Sequence, residues 1–448
     1  MKRVLNIRLS LLAVVVLALT ACTPAATPSP MPPPTTSIPA TRTAAPTATA
    51  TAAATAAATQ ASPVATATLA PSATAAPSAT DAPPTRTPTA LPTATSSATS
   101  TPAAATMKVS IFVSGLDIPW AIDFAPDGRI FVTERPGRIR IIKDGKLQPE
   151  PWATLPVAAV GEGGLLGLAL DPHFSQNGYV YVAYTYRSAQ GTLLNRLARM
   201  HEDPATGKGA LDKVLFDGVA ANTYHNGGRV KFGPDGKLYW TMGDAENPSS
   251  AQDPKLPNGK ILRFNPDGSI PADNPFPGYP TYSYGHRNPQ GLAWQPGADR
   301  LYATEHGPSG APPNCCQDEV NYIEPGKNYG WPLITGDQTR AGLVTPIINS
   351  GTNTTWAPSG ATFVTQGPWQ GALVFAGLRG QSLYRLTLDP NDPRKVVRFE
   401  SYLQGQFGRL RDVVQGPDGA LYILTSNGDG RGTMPPDGDR VLRLTFGP

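Results

Sequence analysis

Residues 230–241 read Val-Lys-Phe-Gly-Pro-Asp-Gly-Lys-Leu-Tyr-Trp-Thr. Two short apolar runs, each typical of a β-strand, flank a Gly-Pro-Asp-Gly turn. In such a turn the proline presets φ, the aspartate accepts a hydrogen bond from the nearby backbone, and the last glycine adopts a positive φ. The stretch therefore predicts a β-hairpin.

The same pattern recurs along the rest of the chain. Each copy has an apolar run, a turn that contains proline and a second apolar run; the other copies lie at residues 121–133, 168–182, 292–304, 361–375 and 413–424. No helical periodicity of comparable length is present. Repeated hairpins of this kind are typical of a β-propeller, in which each hairpin forms the inner half of a four-stranded blade. We therefore expect an all-β domain with six blades, and a repeated or elongated two-sheet sandwich is the competing arrangement.

The N-terminus has the form of an export signal. Three basic residues precede an apolar run at residues 9–19, which is too short for a membrane span of about 20 apolar residues. The run ends in Leu-Thr-Ala-Cys, which resembles a bacterial lipobox. We expect residues 1–21 to be a lipoprotein signal peptide and Cys22 to carry a lipid, which would tether the protein to the membrane on its periplasmic or cell-surface side. An ordinary signal peptide with an incidental cysteine is the alternative.

Residues 22–106 are almost wholly Thr, Ala, Pro and Ser after Cys22, and they contain no aromatic residue. Such a segment cannot bury enough apolar surface to offset its ordering entropy, so we expect a disordered linker. The propeller is then expected at residues 107–448. Five of the 37 basic residues and one of the 33 acidic residues precede Met107, so this domain is formally neutral. Its charge therefore does not indicate a nucleic acid or an anionic lipid as a partner.

A histidine and an aspartate frame the hairpin at residues 230–241. His225 lies before its first strand and Asp244 follows its second strand, so antiparallel pairing places both residues at the same end of the hairpin. A carboxylate beside an imidazole selects its tautomer and raises its basicity, as a general base requires. We expect His225 and Asp244 to act together in catalysis.

Arginines occur at several predicted loop or strand ends. Arg409 and Arg411 lie two residues apart at the start of the last hairpin, so on a strand their side chains share a face. Arg379 follows the fifth hairpin, and Arg287 lies in the segment Gly-His-Arg-Asn-Pro-Gln-Gly at 285–291. Because arginine binds carboxylates through paired hydrogen bonds, these side chains suit a small polyanion. For the pair at 409 and 411, a solvated surface is the alternative.

With these motifs in order, the chain resembles the soluble quinoprotein aldose and glucose dehydrogenases, six-bladed propellers that use pyrroloquinoline quinone (PQQ) and calcium. The resemblance covers nearly all of residues 107–448. It depends on motifs at residues 161–167, 225–229, 243–244, 258–263, 285–291, 307–308, 318–319, 328–331 and 409–412. Each motif alone is weak, whereas the ordered set is specific.

The resemblance implies an enzyme that oxidises an aldose sugar at its anomeric carbon to the lactone and passes electrons to an external acceptor. His225 would take the proton from the anomeric hydroxyl while hydride passes to the quinone, and Asp244 would orient His225. Arg287 would stabilise negative charge on the quinone oxygen. Further cofactor contacts are implied for Glu162, Asn288, Arg379, Arg409 and Arg411. His286 and His306 are given no role as base or ligand.

Calcium is also implied by the resemblance. The carbonyl groups of Gly307 and Pro308 would bind the ion that holds and polarises the quinone. A second ion, seen in relatives, would use the side chain of Glu319 and the carbonyl group of Tyr329. Oxygen ligands of this kind suit a hard cation.

Three features depart from the family pattern. Glu162 occupies a position where glutamine is common, and a carboxylate near an anionic cofactor is unfavourable unless calcium or an arginine compensates for it. Arg379 replaces a lysine of the glucose-oxidising relatives. The segment 309–317 is longer than expected and contains Cys315 and Cys316. These cysteines fit either a strained vicinal disulfide or two free thiols.

Two other functions are compatible with a propeller. One is a calcium-dependent lactonase or esterase, whose site would need several acidic and amide side chains along the axis and no arginines that face a quinone. The other is a non-catalytic propeller that binds glycans or proteins. The sequence favours the sugar dehydrogenase over both.

Overall fold

The computed structural model describes residues 106–310 and 315–447 of the 448-residue chain. The predicted signal peptide at 1–21, the lipidation site Cys22 and the rest of the predicted linker up to residue 105 lie outside the described residues. The first strand, β1, begins at Thr106, one residue before the predicted start of the propeller.

Within the described residues, antiparallel strands form six sheets, each of which is one blade. The chain begins with β1 (Thr106–Leu116) and then forms blade 1 from β2 (Pro119–Phe124), β3 (Ile130–Glu134), β4 (Arg138–Lys143), β5 (Lys146–Leu147) and β6 (Ala153–Thr154). Blade 2 contains β7 (Leu165–Leu170), β8 (Tyr179–Arg187), β9 (Leu193–Asp203) and β10 (Lys208–Ala220). Blade 3 contains β11 (Val230–Phe232), β12 (Leu238–Met242), β13 (Lys260–Phe264) and β14 (Thr281–Tyr284).

The second half of the ring follows the same plan. Blade 4 contains β15 (Pro289–Gln295), β16 (Arg300–Glu305), β17 (Glu319–Ile323) and β18 (Ile348–Asn349). Blade 5 contains β19 (Pro358–Phe363), β20 (Leu373–Gly377), β21 (Ser382–Leu388) and β22 (Val396–Tyr402). Blade 6 contains β23 (Leu410–Gln415), β24 (Leu421–Thr425) and β25 (Asp439–Gly447).

Helical structure is limited to two short pieces in the part of the chain that the structure describes. These are α1 (Phe174–Asn177) and a 3-10 helix (Pro248–Gln252). No helix among the described residues is long and apolar enough to cross a membrane.

Each predicted hairpin forms the first two strands of one blade, so the prediction of an all-β, six-bladed propeller is confirmed and the sandwich is excluded. Blade 6 is completed by β1, which pairs with β25 from Thr106 opposite Gly447 to Leu116 opposite Asp439. The first strand of the domain therefore closes the propeller by pairing with its last strand.

The Pro-Asp-Gly turns have the predicted chemistry. In three of them, Asp127, Asp235 and Asp418 each accept a hydrogen bond through Oδ1 from the backbone N–H two residues later, at 3.1, 3.1 and 3.2 Å. The glycines that follow these aspartates have φ values of +86°, +69° and +80°. Since side chains are disfavoured at such angles, glycine is the residue that allows the turn to close.

The innermost strand of each blade lies next to the axis, and the ring closes where β2 of blade 1 packs against β23 of blade 6. Apolar side chains fill the space between adjacent blades. Phe131, for example, meets the rings of Trp152 and Phe174 edge to face, with centroids 5.3 and 5.5 Å apart. Because all six innermost strands begin at one end of the axis, loops that are distant in sequence meet there.

Candidate active site

A cavity of about 390 Å³ opens at the end of the axis where the innermost strands begin. The loops of five blades contribute predicted residues to its wall, namely Glu162, His225, Arg287, Gly307, Pro308, Arg379, Arg409 and Arg411. The other predicted residues, Asp244, Asn288, Glu319 and Tyr329, do not line it. The volume is in the range of about 300 to 1,000 Å³ that is usual for small-molecule sites.

His225 and Asp244 form the predicted pair. Nδ1 of His225 lies 2.7 Å from Oδ1 of Asp244, and the Asp244 side chain is fully buried while 16% of the His225 side chain is exposed. Oδ2 of Asp244 accepts a hydrogen bond from Nε1 of Trp331 at 2.8 Å. Because Nδ1 faces the carboxylate, Nε2 is the nitrogen that His225 can present to a ligand in the cavity.

The backbone at His225 has an uncommon conformation. Its φ is +59°, in the left-handed region that residues other than glycine rarely adopt. Its N–H donates a hydrogen bond to Oε2 of Glu162 at 3.1 Å, and its carbonyl group accepts one from the N–H of Ala245 at 3.1 Å. These two contacts stabilise the conformation that places the imidazole on the cavity wall.

Arg287 and Arg411 are buried cations on the cavity wall. Burial lowers the pKa of both guanidinium groups, that of Arg411 to about 9. Their Nε atoms have no hydrogen-bond partner among the described residues. A buried cation with an unsatisfied donor is stabilised by an anion, so both side chains fit a polyanionic ligand.

The other arginines on the wall have different environments. Arg409 is buried, and its Nε donates a hydrogen bond to Oδ2 of Asp429 at 2.9 Å. Nη1 of Arg411 donates a hydrogen bond to Oε1 of Gln290 at 2.8 Å. Arg379 is exposed at the cavity rim. The sequence did not predict Asp429, because nothing near it in the chain indicates that it faces an arginine on another loop.

Glu162 has the compensating arginine that its position requires. Oε1 of Glu162 lies 2.8 Å from Nη1 of Arg431. Burial alone would raise the pKa of Glu162, but the nearby His306 and Arg431 lower this pKa to about 2, so the carboxyl group is ionised. Sequence patterns did not single out Arg431, because its partner is 269 residues away along the chain.

Asn288 lies behind the cavity wall. Its Oδ1 accepts a hydrogen bond from the N–H of Gly227 at 3.0 Å, and its Nδ2 has no partner among the described residues. Its carbonyl group accepts a hydrogen bond from the N–H of His306 at 3.2 Å. Asn288 therefore connects the loop after His225 to the loop that contains Gly307, and the structure does not place it against the cavity.

The predicted calcium ligands lie together. Gly307 and Pro308 line both the main cavity and a small adjoining cavity, and Asp318 orients the peptide of Gly307 by accepting its N–H hydrogen bond at 2.9 Å. Glu319 and Tyr329 line the adjoining cavity. Among the described residues, no group of three or more His, Cys, Asp or Glu side chains could hold a metal, so the predicted sites need backbone carbonyl groups among their ligands.

A second carboxylate faces Glu319. Glu305 is its cross-strand partner on β16, and both side chains line the adjoining cavity. Burial and the charge of Glu305 raise the pKa of Glu319 to about 8. A cation between the two carboxylates would remove their repulsion, so the residues present fit the predicted second calcium ion.

The two other histidines of this region occupy different environments. His286 is fully buried, with Nδ1 2.8 Å from Oε2 of Glu305 and Nε2 2.8 Å from Oγ of Ser283. His306 lines the cavity, and its Nε2 has no partner among the described residues. Burial lowers the pKa of His306 to about 4. Neither residue was predicted to have a role, yet the structure places His306 on the cavity wall.

Cys315 and Cys316 form a vicinal disulfide, which answers the question that the sequence left open. Both residues are buried, and Cys315 lines the cavity. The disulfide follows the long segment after Pro308, so this departure from the family pattern lies at the site itself.

Comparison with known proteins identifies relatives over most of the chain. Residues 116–434 match the family model for glucose/sorbosone dehydrogenases. The chain is 32% identical to the aldose sugar dehydrogenase of Escherichia coli, over 73% of this chain and 92% of the relative. It is 31% identical to quinoprotein glucose dehydrogenase B of Acinetobacter calcoaceticus, over 75% of this chain and 88% of the relative.

Solved structures give the same result. The PQQ-bound form of the aldose sugar dehydrogenase from Streptomyces coelicolor is 38% identical, with a TM-score of 0.68 over 77% of this chain and 99% of that chain. The apo form of the soluble aldose sugar dehydrogenase from Escherichia coli is 30% identical, with a TM-score of 0.67 over 76% of this chain and 99% of that chain. Almost the whole of each relative is therefore matched.

Proposed function

Since the chain belongs to the glucose/sorbosone dehydrogenase family of propeller oxidoreductases, we propose that it oxidises an aldose sugar at the anomeric carbon to the lactone. PQQ is the proposed oxidant, calcium is the proposed activating ion, and an external acceptor takes the electrons. The PQQ-bound Streptomyces relative and the Acinetobacter quinoprotein support the choice of cofactor.

One observation carries this proposal. An imidazole that is paired with a buried carboxylate faces the same cavity as three buried arginines. With Nδ1 held by Asp244, His225 can take the proton of the anomeric hydroxyl at Nε2, and Asp244 stabilises the imidazolium that results. A bound PQQ would supply the acceptor for the hydride of the anomeric carbon. Arg287 stabilises negative charge that develops on an oxygen near its guanidinium group.

The arginines also fit the charge of the cofactor. PQQ carries three carboxylates, and the wall offers Arg379, Arg409 and Arg411 in addition to Arg287. The unsatisfied Nε atoms of Arg287 and Arg411 would gain acceptors from such a ligand. Nη2 of Arg409 forms an ion pair with Oδ2 of Asp429 at 2.8 Å, which partly neutralises its charge. We therefore propose that Arg409 contributes less to cofactor affinity than Arg411.

Calcium is proposed at two positions. The carbonyl groups of Gly307 and Pro308 would hold one ion at the edge of the main cavity, and Asp318 keeps the Gly307 peptide in place. The second ion would bind Glu319 and the carbonyl group of Tyr329, with Glu305 adding negative charge nearby. The first ion would polarise the cofactor, and the second would have a structural role.

The lactonase alternative fits the cavity less well. A lactonase site was expected to have no arginines that face the ligand, whereas five arginines line this cavity: Arg287, Arg379, Arg409, Arg411 and Arg431. The acidic side chains on the wall are fewer, namely Glu162, Glu246 and Asp318. This balance favours an anionic ligand over a metal-bound lactone.

An absorbance titration of the purified apoprotein with PQQ, with and without calcium, tests the proposal. We expect saturable binding that calcium strengthens, followed by aldose-dependent reduction of a dye. Arg411→Gln is expected to weaken PQQ binding, and Arg394→Gln, on the surface outside the cavity, is the matched control. If the apoprotein binds no PQQ and no aldose of a broad panel reduces the dye, the proposal is wrong.

We further propose that lipidated Cys22 anchors the mature protein to the membrane outside the cytoplasm. The lipobox-like tetrad that ends at Cys22 supports this. Cys22→Ser is expected to move the protein from the membrane fraction to the soluble fraction of its host, whereas equal distribution of both forms would contradict the proposal.

A further inference from the structure

Glu162 and Arg431 form an ion pair across the mouth of the cavity. Glu162 lies in the loop before β7, and Arg431 lies in the loop between β24 and β25, so the pair connects blades 2 and 6. Oε1 of Glu162 is 2.8 Å from Nη1 of Arg431, with 17% of the Glu162 side chain and 46% of the Arg431 side chain exposed. Both residues line the cavity.

The second oxygen of Glu162 is bound to the proposed base. Oε2 accepts the backbone N–H of His225 at 3.1 Å, and this is the residue whose φ is in the left-handed region. The guanidinium group of Arg431 lies over the ring of Tyr224, 5.3 Å from its centroid. Arg431, Glu162 and the segment 224–225 therefore form one connected wall.

The charge of Glu162 conflicts with the proposed ligand. An ionised carboxylate on the wall repels the carboxylates of PQQ, and the repulsion is strong where water is largely excluded. A paired arginine cancels that charge at short range. Among the described arginines and lysines, Arg431 alone lies within ion-pair distance of Glu162, so it supplies the direct contact that offsets the carboxylate charge.

Arg431 is itself oriented by the site. The backbone N–H of Arg431 donates a hydrogen bond to Oδ1 of Asp429 at 3.0 Å. Oδ2 of the same carboxylate accepts a hydrogen bond from Nε of Arg409. The loop that carries Arg431 is thus attached to the arginines on the cavity wall. A freely moving surface arginine would lack this connection.

We propose that Arg431 is a positioning residue of the cofactor site, which neutralises Glu162 so that the cavity accepts a polyanionic quinone and keeps Glu162 on the N–H of His225. This inference rests on the proposed function, because it requires that the ligand be an anion. Nothing in the family resemblance assigned a role to Arg431.

The inference predicts a specific pattern of variants in the full-length protein. Arg431→Gln leaves Glu162 uncompensated, so its Kd for PQQ in saturating calcium should rise about tenfold or more. Glu162→Gln in the Arg431→Gln background removes the unpaired charge and keeps an acceptor for the His225 N–H. The Kd of this double variant should return to within about threefold of the wild-type value. Added salt should reduce the deficit of Arg431→Gln, because it screens the repulsion.

The chain contains a closely matched control. Arg394 pairs with Glu324 and lies over the ring of Tyr322 at 5.0 Å, with 43% of its side chain exposed. It is outside the cavity, so Arg394→Gln should leave the Kd for PQQ unchanged. Arg431→Lys, which keeps the charge, should bind PQQ more tightly than Arg431→Gln.

Absorbance titration gives the Kd values, and thermal unfolding checks that each variant is folded. Wild-type affinity in Arg431→Gln, or no recovery when Glu162→Gln is added, would overturn the inference. Failure of the wild-type protein to bind PQQ would instead overturn the proposed function, so the two failures are distinguishable.

Discussion

Two histidine–carboxylate pairs, one within blade 3 and one between blades 3 and 4, have nearly the same contact distance. Nδ1 of His225 is 2.7 Å from Asp244, and Nδ1 of His286 is 2.8 Å from Glu305. The pairs differ at the other ring nitrogen. Nε2 of His286 is bonded to Ser283, whereas His225 lines the cavity.

This difference shows that an imidazole beside a carboxylate is not by itself evidence of catalysis. A general base needs a nitrogen within reach of the substrate proton, and only the pair at 225 and 244 has one. The pair at 286 and 305 serves as a structural link, since Glu305 also accepts the backbone N–H of Arg287 and the His286 ring stacks on Tyr329.

The largest expected effect is that of His225→Gln. Loss of the base should lower kcat about a thousandfold, while PQQ affinity remains near the wild-type value because the arginines are unchanged. Steady-state kinetics with a reducible dye measure kcat, and absorbance titration measures affinity. A variant that retains a tenth or more of the wild-type kcat would remove the distinction between the two pairs.

Asp244→Asn should have the next largest effect. The amide preserves the shape of the side chain but loses the charge that stabilises an imidazolium, so kcat should fall about a hundredfold. The matched change in the other pair is Glu305→Gln, which is expected to reduce kcat less than Asp244→Asn does. Equal losses of kcat in the two variants would show that the pairs are functionally alike.

His286→Ala tests the structural pair directly. It removes one buried partner of Glu305 and the partner of the Ser283 hydroxyl group, so the free energy of unfolding should fall by about 2 kcal/mol. The kcat of the folded, PQQ-loaded protein should stay within about threefold of wild type, since His286 does not reach the cavity. Urea unfolding and dye reduction give the two numbers, and a loss of kcat without a loss of stability would contradict this assignment.

The smallest effects are expected for the outer partners of each pair. Trp331→Phe removes the Nε1 hydrogen bond to Asp244 but keeps the ring, so kcat should fall about three- to tenfold. Ser283→Ala removes the partner of His286 and should lower the free energy of unfolding by about 1 kcal/mol without changing kcat. An exchange of these outcomes, with Trp331→Phe affecting only stability, would reverse the roles assigned to the two regions.

The sequence predicted the His225–Asp244 pair more fully than the residues that contact this pair. His225 and Asp244 flank one hairpin, so strand pairing within a short stretch was enough to place them together. Trp331 completes the pair from another blade, and its contact with Asp244 spans 87 residues. Such a contact has no local signal in the chain, and the sequence did not identify it.

The cofactor residues show a similar limit. Arg287, Arg379, Arg409 and Arg411 do line one cavity, as predicted. Asn288 belongs to the same motif as Arg287, yet it lies behind the wall, because neighbouring residues at the start of a strand need not face the same side. A shared motif therefore predicted where in the molecule these residues lie, but it did not predict which groups their side chains contact.

The repeat, the turns and the family could be predicted from the sequence. Alternating apolar runs and Pro-Asp-Gly turns are local properties, since proline, aspartate and glycine impose the turn wherever they occur. Six hairpins of this kind have few ways to bury their apolar faces, and a ring of blades is one of them. The fold therefore followed from short stretches.

The pairing of charged side chains from different blades depends on the closed ring. Glu162 reaches Arg431 across 269 residues. This contact exists because the ring brings the loops of different blades to one end of the axis, where burial makes each unpaired charge costly. The physical reason is that hairpin formation depends on nearest neighbours in the chain, whereas charge pairing depends on the closed ring.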